Sequence, residues 1–172
     1  NSTGNISFAL VTPGIVSITG TNTFSIVKAG STVVSVTQAS DGNFNSTTVT
    51  FTLTVNKASP IITVSDISKT YGDSDFNLTA SSTSLATTTF VSTFGVISIS
   101  GNTASILSSG ERIVTVSQVE NENYLSATAT FKVIVDRADT DITVGDFNKV
   151  YGDFDFFVFP SSLNISPYSF TP

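Results

Sequence analysis

The chain has 172 residues and a mass of 18.0 kDa, enough for one large domain or two small ones. It holds no Cys, Met, Trp or His. That excludes thiolate and imidazole catalysis, disulfides, and the usual zinc and haem sites. Seven basic residues against thirteen acidic ones give a net charge of −6 and a pI near 4.2, the wrong sign for a nucleic-acid footprint.

Charged residues make up 12% of the chain and hydrophobic ones 40%, too apolar a balance for intrinsic disorder. Ser and Thr together supply roughly a third of the residues, so the polar surface is built from hydroxyls rather than charges. No stretch approaches the roughly 20 apolar residues that cross a bilayer, so no membrane insertion is expected of this segment. There is no initiator Met and no basic-then-apolar leader. The chain is therefore expected to be a window on a longer protein whose signal and anchor lie elsewhere. The lack of Cys fits an extracellular bacterial or archaeal protein, on the cell surface or secreted.

Taken in chain order, the segments read as β-strands. Phe8 marks a first strand, Ile26 another, and Val34 with Val36 a third. Val49, Phe51, Leu53 and Val55 then alternate with Thr, the period of two that one buried sheet face requires. From Lys57 the chain reads KASPIITVSDISKTYGDSDFNL. Further on, Ile106, Val114 and Val116 repeat the earlier marks, and Ala129, Phe131, Val133 and Val135 repeat the alternation. From Arg137 it reads RADTDITVGDFNKVYGDFDFFV, so Tyr151 follows Tyr71 by 80 positions. The same offset carries Gly30 to Gly110, Gln38 to Gln118 and Phe44 to Tyr124.

This internal repeat sets the expected domains. Residues 1–57 are the back part of one repeat, 58–137 a complete one, and 138–172 the front of a third. An 80-residue unit can enclose its own core. About seven short strands per unit, punctuated by Gly, Asn, Asp and Ser, predict an all-β fold of tandem β-sandwiches. Phe51, Val55, Val34, Val36 and Ile26 are the expected core of the first unit. Phe131, Val135, Val114, Val116 and Ile106 are that of the second.

The order Lys57-Ala58, Lys69-x-Tyr-Gly-Asp73, Ile99-Ser-Gly-Asn102, Gly110-x-x-x-Val-Thr-Val-Ser-Gln118 and Asn121-x-Asn-Tyr124 resembles bacterial immunoglobulin-like repeats of the Tyr-Gly-Asp (MBG) type. The resemblance covers essentially the whole chain. It implies an immunoglobulin-like fold and a place in a large surface or adhesin-like protein. Such modules are usually spacers, so it implies mechanics rather than chemistry.

Asp73, Asp75, Asp153 and Asp155 of the two Tyr-Gly-Asp-x-Asp loops are candidate calcium ligands, because hard cations want clustered oxygens. The alternative makes Gly72 and Gly152 positive-φ turn residues, with the Asp side chains holding backbone amides. Two carboxylates per loop favour the turn, and no resident cofactor is expected. The acidic run Asp136, Asp139, Asp141, Asp146 has only Asp66 in register one repeat earlier, which argues for a solvated linker. Gln38 and Gln118 read as strand-closing residues rather than partners in a covalent crosslink. Five sequons, at Asn1, Asn5, Asn45, Asn77 and Asn164, are about what chance supplies in so hydroxyl-rich a chain. Carboxylates on turns of a repeated module give no basis for catalysis, so no enzyme is expected.

Pole-to-pole strands predict that the hairpin carrying Glu120 and Glu122 lies beside Lys57, and that Asp73 and Asp75 lie near Arg137. In the last segment Phe157 and Phe159 replace the outward Asn77 and Thr79, and Phe154 replaces Ser74. These three rings are a candidate assembly contact with a neighbouring chain. The functional expectation is a repeat segment of a long extracellular stalk, adhesin or filament. Its partners would be neighbouring repeats and, through self-assembly, other copies. The alternatives are a carbohydrate-binding module and a virion fibre segment.

Overall fold

In a computed structural model, residues 1–162 are described; Asn164 of the last sequon lies outside them. They form an all-β structure with no helix among the described residues. The first five strands are β1 (Ile6–Leu10), β2 (Val16–Ile18), β3 (Phe24–Ile26), β4 (Gly30–Gln38) and β5 (Thr47–Val55). Then come β6 (Ile62–Thr63), β7 (Ile67–Thr70), β8 (Phe76–Asn77), β9 (Ser81–Ser82) and β10 (Thr88–Ser92). They are followed by β11 (Ile97–Ser100), β12 (Thr103–Ile106), β13 (Gly110–Gln118) and β14 (Ala127–Asp136). Two short strands, β15 (Ile142–Thr143) and β16 (Ser161–Ser162), end the described part.

The organising element is an antiparallel ladder of β13 with β14, running from Gly110↔Val135 to Gln118↔Ala127. Valine, isoleucine and threonine fill it because branched side chains suit a pleated, half-buried surface. β10 flanks one side, and β7 joins the other in parallel, with Val133↔Ile67 and Asp136↔Thr70 in register. A second sheet, β11-β12-β8, supplies the opposing layer. Leu78, Ile97, Ala104, Val114, Val116, Phe131, Val133 and Val135 are buried together between the two sheets. Phe90 and Phe131 meet edge to face, with ring centres 6.4 Å apart.

β4 pairs with β5 from Gly30↔Val55 to Gln38↔Thr47, the register of β13 with β14 shifted by 80. β1 meets β4 through Phe8↔Val36 as β10 meets β13 through Phe90↔Val116. β15 pairs with β16 through Ile142↔Ser162 as β6 pairs with β9 through Ile62↔Ser82. No described segment, however, lies beside β5 as β7 lies beside β14.

That difference corrects part of the expected core. Val114, Val116, Phe131, Val135 and Val34 are buried, while Ile106, Val36 and Val55 are half-buried. Phe51 is 44% exposed against 4% for Phe131, and Ile26 is 72% exposed. Alternation puts these side chains on the right face of the sheet, but residues 1–57 contain no counterpart of β6, β7 and β8 to cover it. The strand count also differs. Residues 58–137 hold nine strands, because three of only two residues escape detection by periodicity. Residues 154–159 form no strand, whereas an alternating strand is expected there.

Phe131→Ala should therefore cost about 3–5 kcal/mol, since it empties a filled core. Phe51→Ala should cost under about 1.5 kcal/mol in dilute solution, because much less area leaves water on folding. Urea melts of both variants measure the contrast, and equal losses would contradict the difference in cover.

Candidate functional site

The chain between β5 and β6 is held by a joint built from hairpin geometry. Between β13 and β14 the chain turns at Asn121, whose Oδ1 accepts the backbone N–H groups of Asn123 (3.0 Å) and Tyr124 (2.9 Å). This fixes the hairpin against the linker. Ala58 N–H donates to the Asn123 carbonyl and Leu125 N–H to the Ala58 carbonyl, each at 2.9 Å. Lys57 Nζ then lies 3.5 Å from Glu120 Oε2.

A second set of contacts comes from the loop before β4. Lys28 Nζ donates to Glu122 Oε1 at 2.6 Å, and Ala29 N–H donates to Asn123 Oδ1 at 2.9 Å. Hairpin 120–125 is thus gripped both by the linker and by residues 28–29. Lys28 and Ala29 are not legible as joint residues in the sequence. One repeat later Lys28 becomes Ser108, so self-comparison gives no signal. Both ion pairs are solvent-exposed, so each contributes at most about 1 kcal/mol and serves orientation more than stability.

The hairpin one repeat earlier uses the same turn with a charge added. Asp41 Oδ1 accepts the N–H groups of Asn43 and Phe44, both at 2.9 Å, as Asn121 does. Its Oδ2 accepts the Ser2 hydroxyl and the Thr3 N–H, both at 2.7 Å. The Ser2 hydroxyl above all, then the backbone amides of Asn43, Thr3 and Phe44, hold this carboxyl well below the usual carboxylate range. Asp41 therefore ties the chain's first residues to the hairpin.

At the far end of β14, the Tyr71 N–H donates to the Asp136 carbonyl at 2.8 Å, which brings the Tyr-Gly-Asp loop to the Asp136-Arg137 linker. Asp73 turns inward on its own loop, where its Oδ2 accepts the Thr70 N–H at 2.9 Å. Gly72 sits at φ 100° with open space around it, so backbone handedness rather than crowding selects glycine. Asp153 and Gly152 (φ 96°) repeat both features, with the Val150 N–H as donor. Asp75 and Asp155 are exposed. Among the described residues no three acidic groups converge to hold a metal, and none of the ion pairs includes Arg137.

The aromatic stretch is open to solvent: Phe154 is 96% exposed, and Phe157 and Phe159 are 81% exposed. The Phe157 and Phe159 rings lie 6.0 Å apart and form one patch. On the opposite side of the same stretch Phe156 meets Phe147 at 5.6 Å and lies under Lys149 Nζ at 4.8 Å. Lys69 sits over Phe76 in the same way, at 5.3 Å. No family model matches the chain, and neither does any curated protein.

Two outcomes follow for the hairpins. A double-mutant cycle on Lys28→Ala and Glu122→Ala should give a coupling below about 1 kcal/mol, while small-angle scattering detects a wider spread of orientations across residue 57. Asp41 has a folded pKa below its unfolded value of about 3.9. Its contribution to stability is therefore complete above that pH and fades as pH falls toward the folded value. Asp41→Asn should remove this acid-dependent part, read from the Thr3 and Phe44 amide shifts. An unchanged acid titration at these amides would refute the tether.

Proposed function

We propose that the chain is a load-bearing segment of a long extracellular stalk, adhesin or filament, made of tandem immunoglobulin-like repeats related to the Tyr-Gly-Asp type. Residues 1–57, 58–137 and 138–172 are the back of one repeat, a whole repeat and the front of another. The observation that carries this reading is the joint at Lys57. Backbone hydrogen bonds through Ala58, the Lys28 side chain on Glu122 and the Ala29 N–H on Asn123 Oδ1 fasten one hairpin to the preceding strands. A binding module or enzyme has no need for so direct a coupling between successive units; a stalk that must resist bending does.

Mechanical strength comes from the long ladders. Force applied along the chain would load β4–β5 and β13–β14 in shear, so that many hydrogen bonds resist together. The surface has few charges and many hydroxyls, and its acidity disfavours indiscriminate association of parallel stalks. Phe154, Phe157 and Phe159 form the exception, a lateral contact through which stalks bundle. In this reading the segment has no catalytic role and takes no metal at the Tyr-Gly-Asp loops.

Single-molecule pulling on the chain should give a discrete unfolding step for residues 58–137 that releases about 25 nm of contour, the reach of some 80 extended residues. Smooth extension without a step would overturn the mechanical reading. Specific capture by a glycan array would favour a carbohydrate-binding module instead. Replacing Phe157 by Asn and Phe159 by Thr, as in the preceding repeat, should abolish lateral bundles in electron micrographs while leaving that step unchanged.

A further inference from the structure

One charged side chain of the complete unit lacks the partner its chemistry calls for. Arg112 stands on β13 opposite Val133, at an inward position of the strand, and is half-buried. A guanidinium carries five N–H donors in a rigid fork. Among the described residues this one makes a single side-chain hydrogen bond, from Nη1 to Thr93 Oγ1 at 3.4 Å, long for such a bond. Its Nε is buried and has no acceptor. No carboxylate pairs with it, since the ion pairs among the described residues use Lys28, Lys57 and Lys132. A buried donor left in this state is a cost to the folded unit until an acceptor reaches it.

The preceding repeat has the same position without that cost. Arg112 corresponds to Thr32, which holds the equivalent place in its ladder, opposite Leu53. Thr32 is 2% exposed and closes on the loop after β1, donating to the Thr12 carbonyl and meeting the Thr12 hydroxyl at 3.0 Å. A neutral, satisfied pair therefore suffices for the sheet. In the complete unit the loop after β10 is shaped around the guanidinium instead. Gly95 there has φ 141°, and a Cβ on it would stand 2.5 Å from Arg112 Nη2. Backbone handedness and the space taken by the cation both demand glycine.

The surface beside the cation is concave, a hollow of about 530 Å³ between β10 and β13 that Arg112 lines. Its wall offers three chemistries. Val91 and Ile113 present exposed apolar area, and Thr93 and Thr115 bring hydroxyls. Glu111 brings a carboxylate, which Lys132 Nζ balances at 2.8 Å. We infer that this hollow binds an acidic sugar, a uronate ring whose carboxylate takes the fork of Arg112. The sugar hydroxyls donate to Glu111 and exchange hydrogen bonds with the two threonines, while a C–H face rests on Val91 and Ile113.

Glu111 decides between ligand classes. An acidic peptide side chain brings only acceptors and meets a like charge there. A sugar acid brings hydroxyl donors together with its carboxylate. A neutral sugar leaves the Arg112 fork as it was. The site lies wholly within residues 58–137 and leaves the joint at Lys57 untouched. It goes beyond the stalk reading, because a unit that grips acidic polysaccharide at its side still transmits load along its ladders. Pulling tests the stalk and titration tests the site, so either can fail without the other.

The experiment is a titration of the isotopically labelled 172-residue chain with glucuronate, followed through its amide signals and the Arg112 Nε–H signal. Thr93, Gly95, Arg112, Ile113 and Thr115 should shift together and saturate. Glucuronate should bind about tenfold or more tightly than glucose, the margin that a hydrogen bond to a charged group supplies. Arg112→Met keeps an unbranched stem without donors. It should bring glucuronate down to the level of glucose, while residues 58–137 melt at the same or a higher temperature. Arg112→Thr, the residue of the preceding repeat, should show the same loss and serves if Arg112→Met melts early. Lys57→Ala, at a cation of the joint, should bind as the unaltered chain does. No saturable shift with glucuronate, glucose binding as tightly, or binding unchanged in both Arg112 variants would each overturn the proposal. So would an equal loss in Lys57→Ala. Acetate or a tri-aspartate peptide competing as strongly as glucuronate would also overturn it, and would assign the fork to a protein carboxylate.

Discussion

The long antiparallel ladder between β13 and β14 is the constraint on which the remaining structure depends. Its registered pairs place every second side chain of both strands on one face, and that face is apolar. An apolar sheet face must be covered, so the chain supplies a second layer from β8, β11 and β12, with Leu78 and Ile97 pressed against Val114 and Phe131. The ladder also fixes where the ends go. Its hairpin end meets Ala58 and its open end meets Tyr71, so each linker is held against a strand terminus.

Around β4 and β5 no described segment supplies that second layer, yet the ladder itself is unchanged. β4 and β5 form their pairs as faithfully as β13 and β14, because backbone hydrogen bonds and turn chemistry are local to the hairpin. Covering the apolar face is not local. Phe51 and Phe131 are the same residue in the same register, and only the presence of a neighbouring segment separates a core side chain from an exposed one. Intrinsic preference sets strand and face; tertiary context sets burial.

The hairpin turns carry the connection between units. Asp41 and Asn121 organise identical loops through their side-chain oxygens, yet one holds the chain's first residues and the other holds a linker. Exposed ion pairs at Lys28 and Lys57 add direction and little stability. The aromatic residues from Phe154 to Phe159 are the reverse case, where apolar area faces water on both sides of the chain. Such area is a source of association free energy wherever a complementary surface presents itself.

The sequence by itself determined the all-β class, the face on which each alternating residue lies, the Gly72 and Gly152 turns, and the hairpins that bring Glu120 to Lys57. These follow from a period of two and from turn residues with fixed backbone preferences, both readable within a few positions. The two-residue strands β6, β8 and β9 are too short to carry a period, so only the folded chain located them. Tertiary structure alone decided that Lys28, rather than Lys57, pairs with Glu122, and that Asp73 turns to its own loop rather than to Arg137. Each of these depends on which side chains meet through space, and residue type and spacing along the chain carry no record of that.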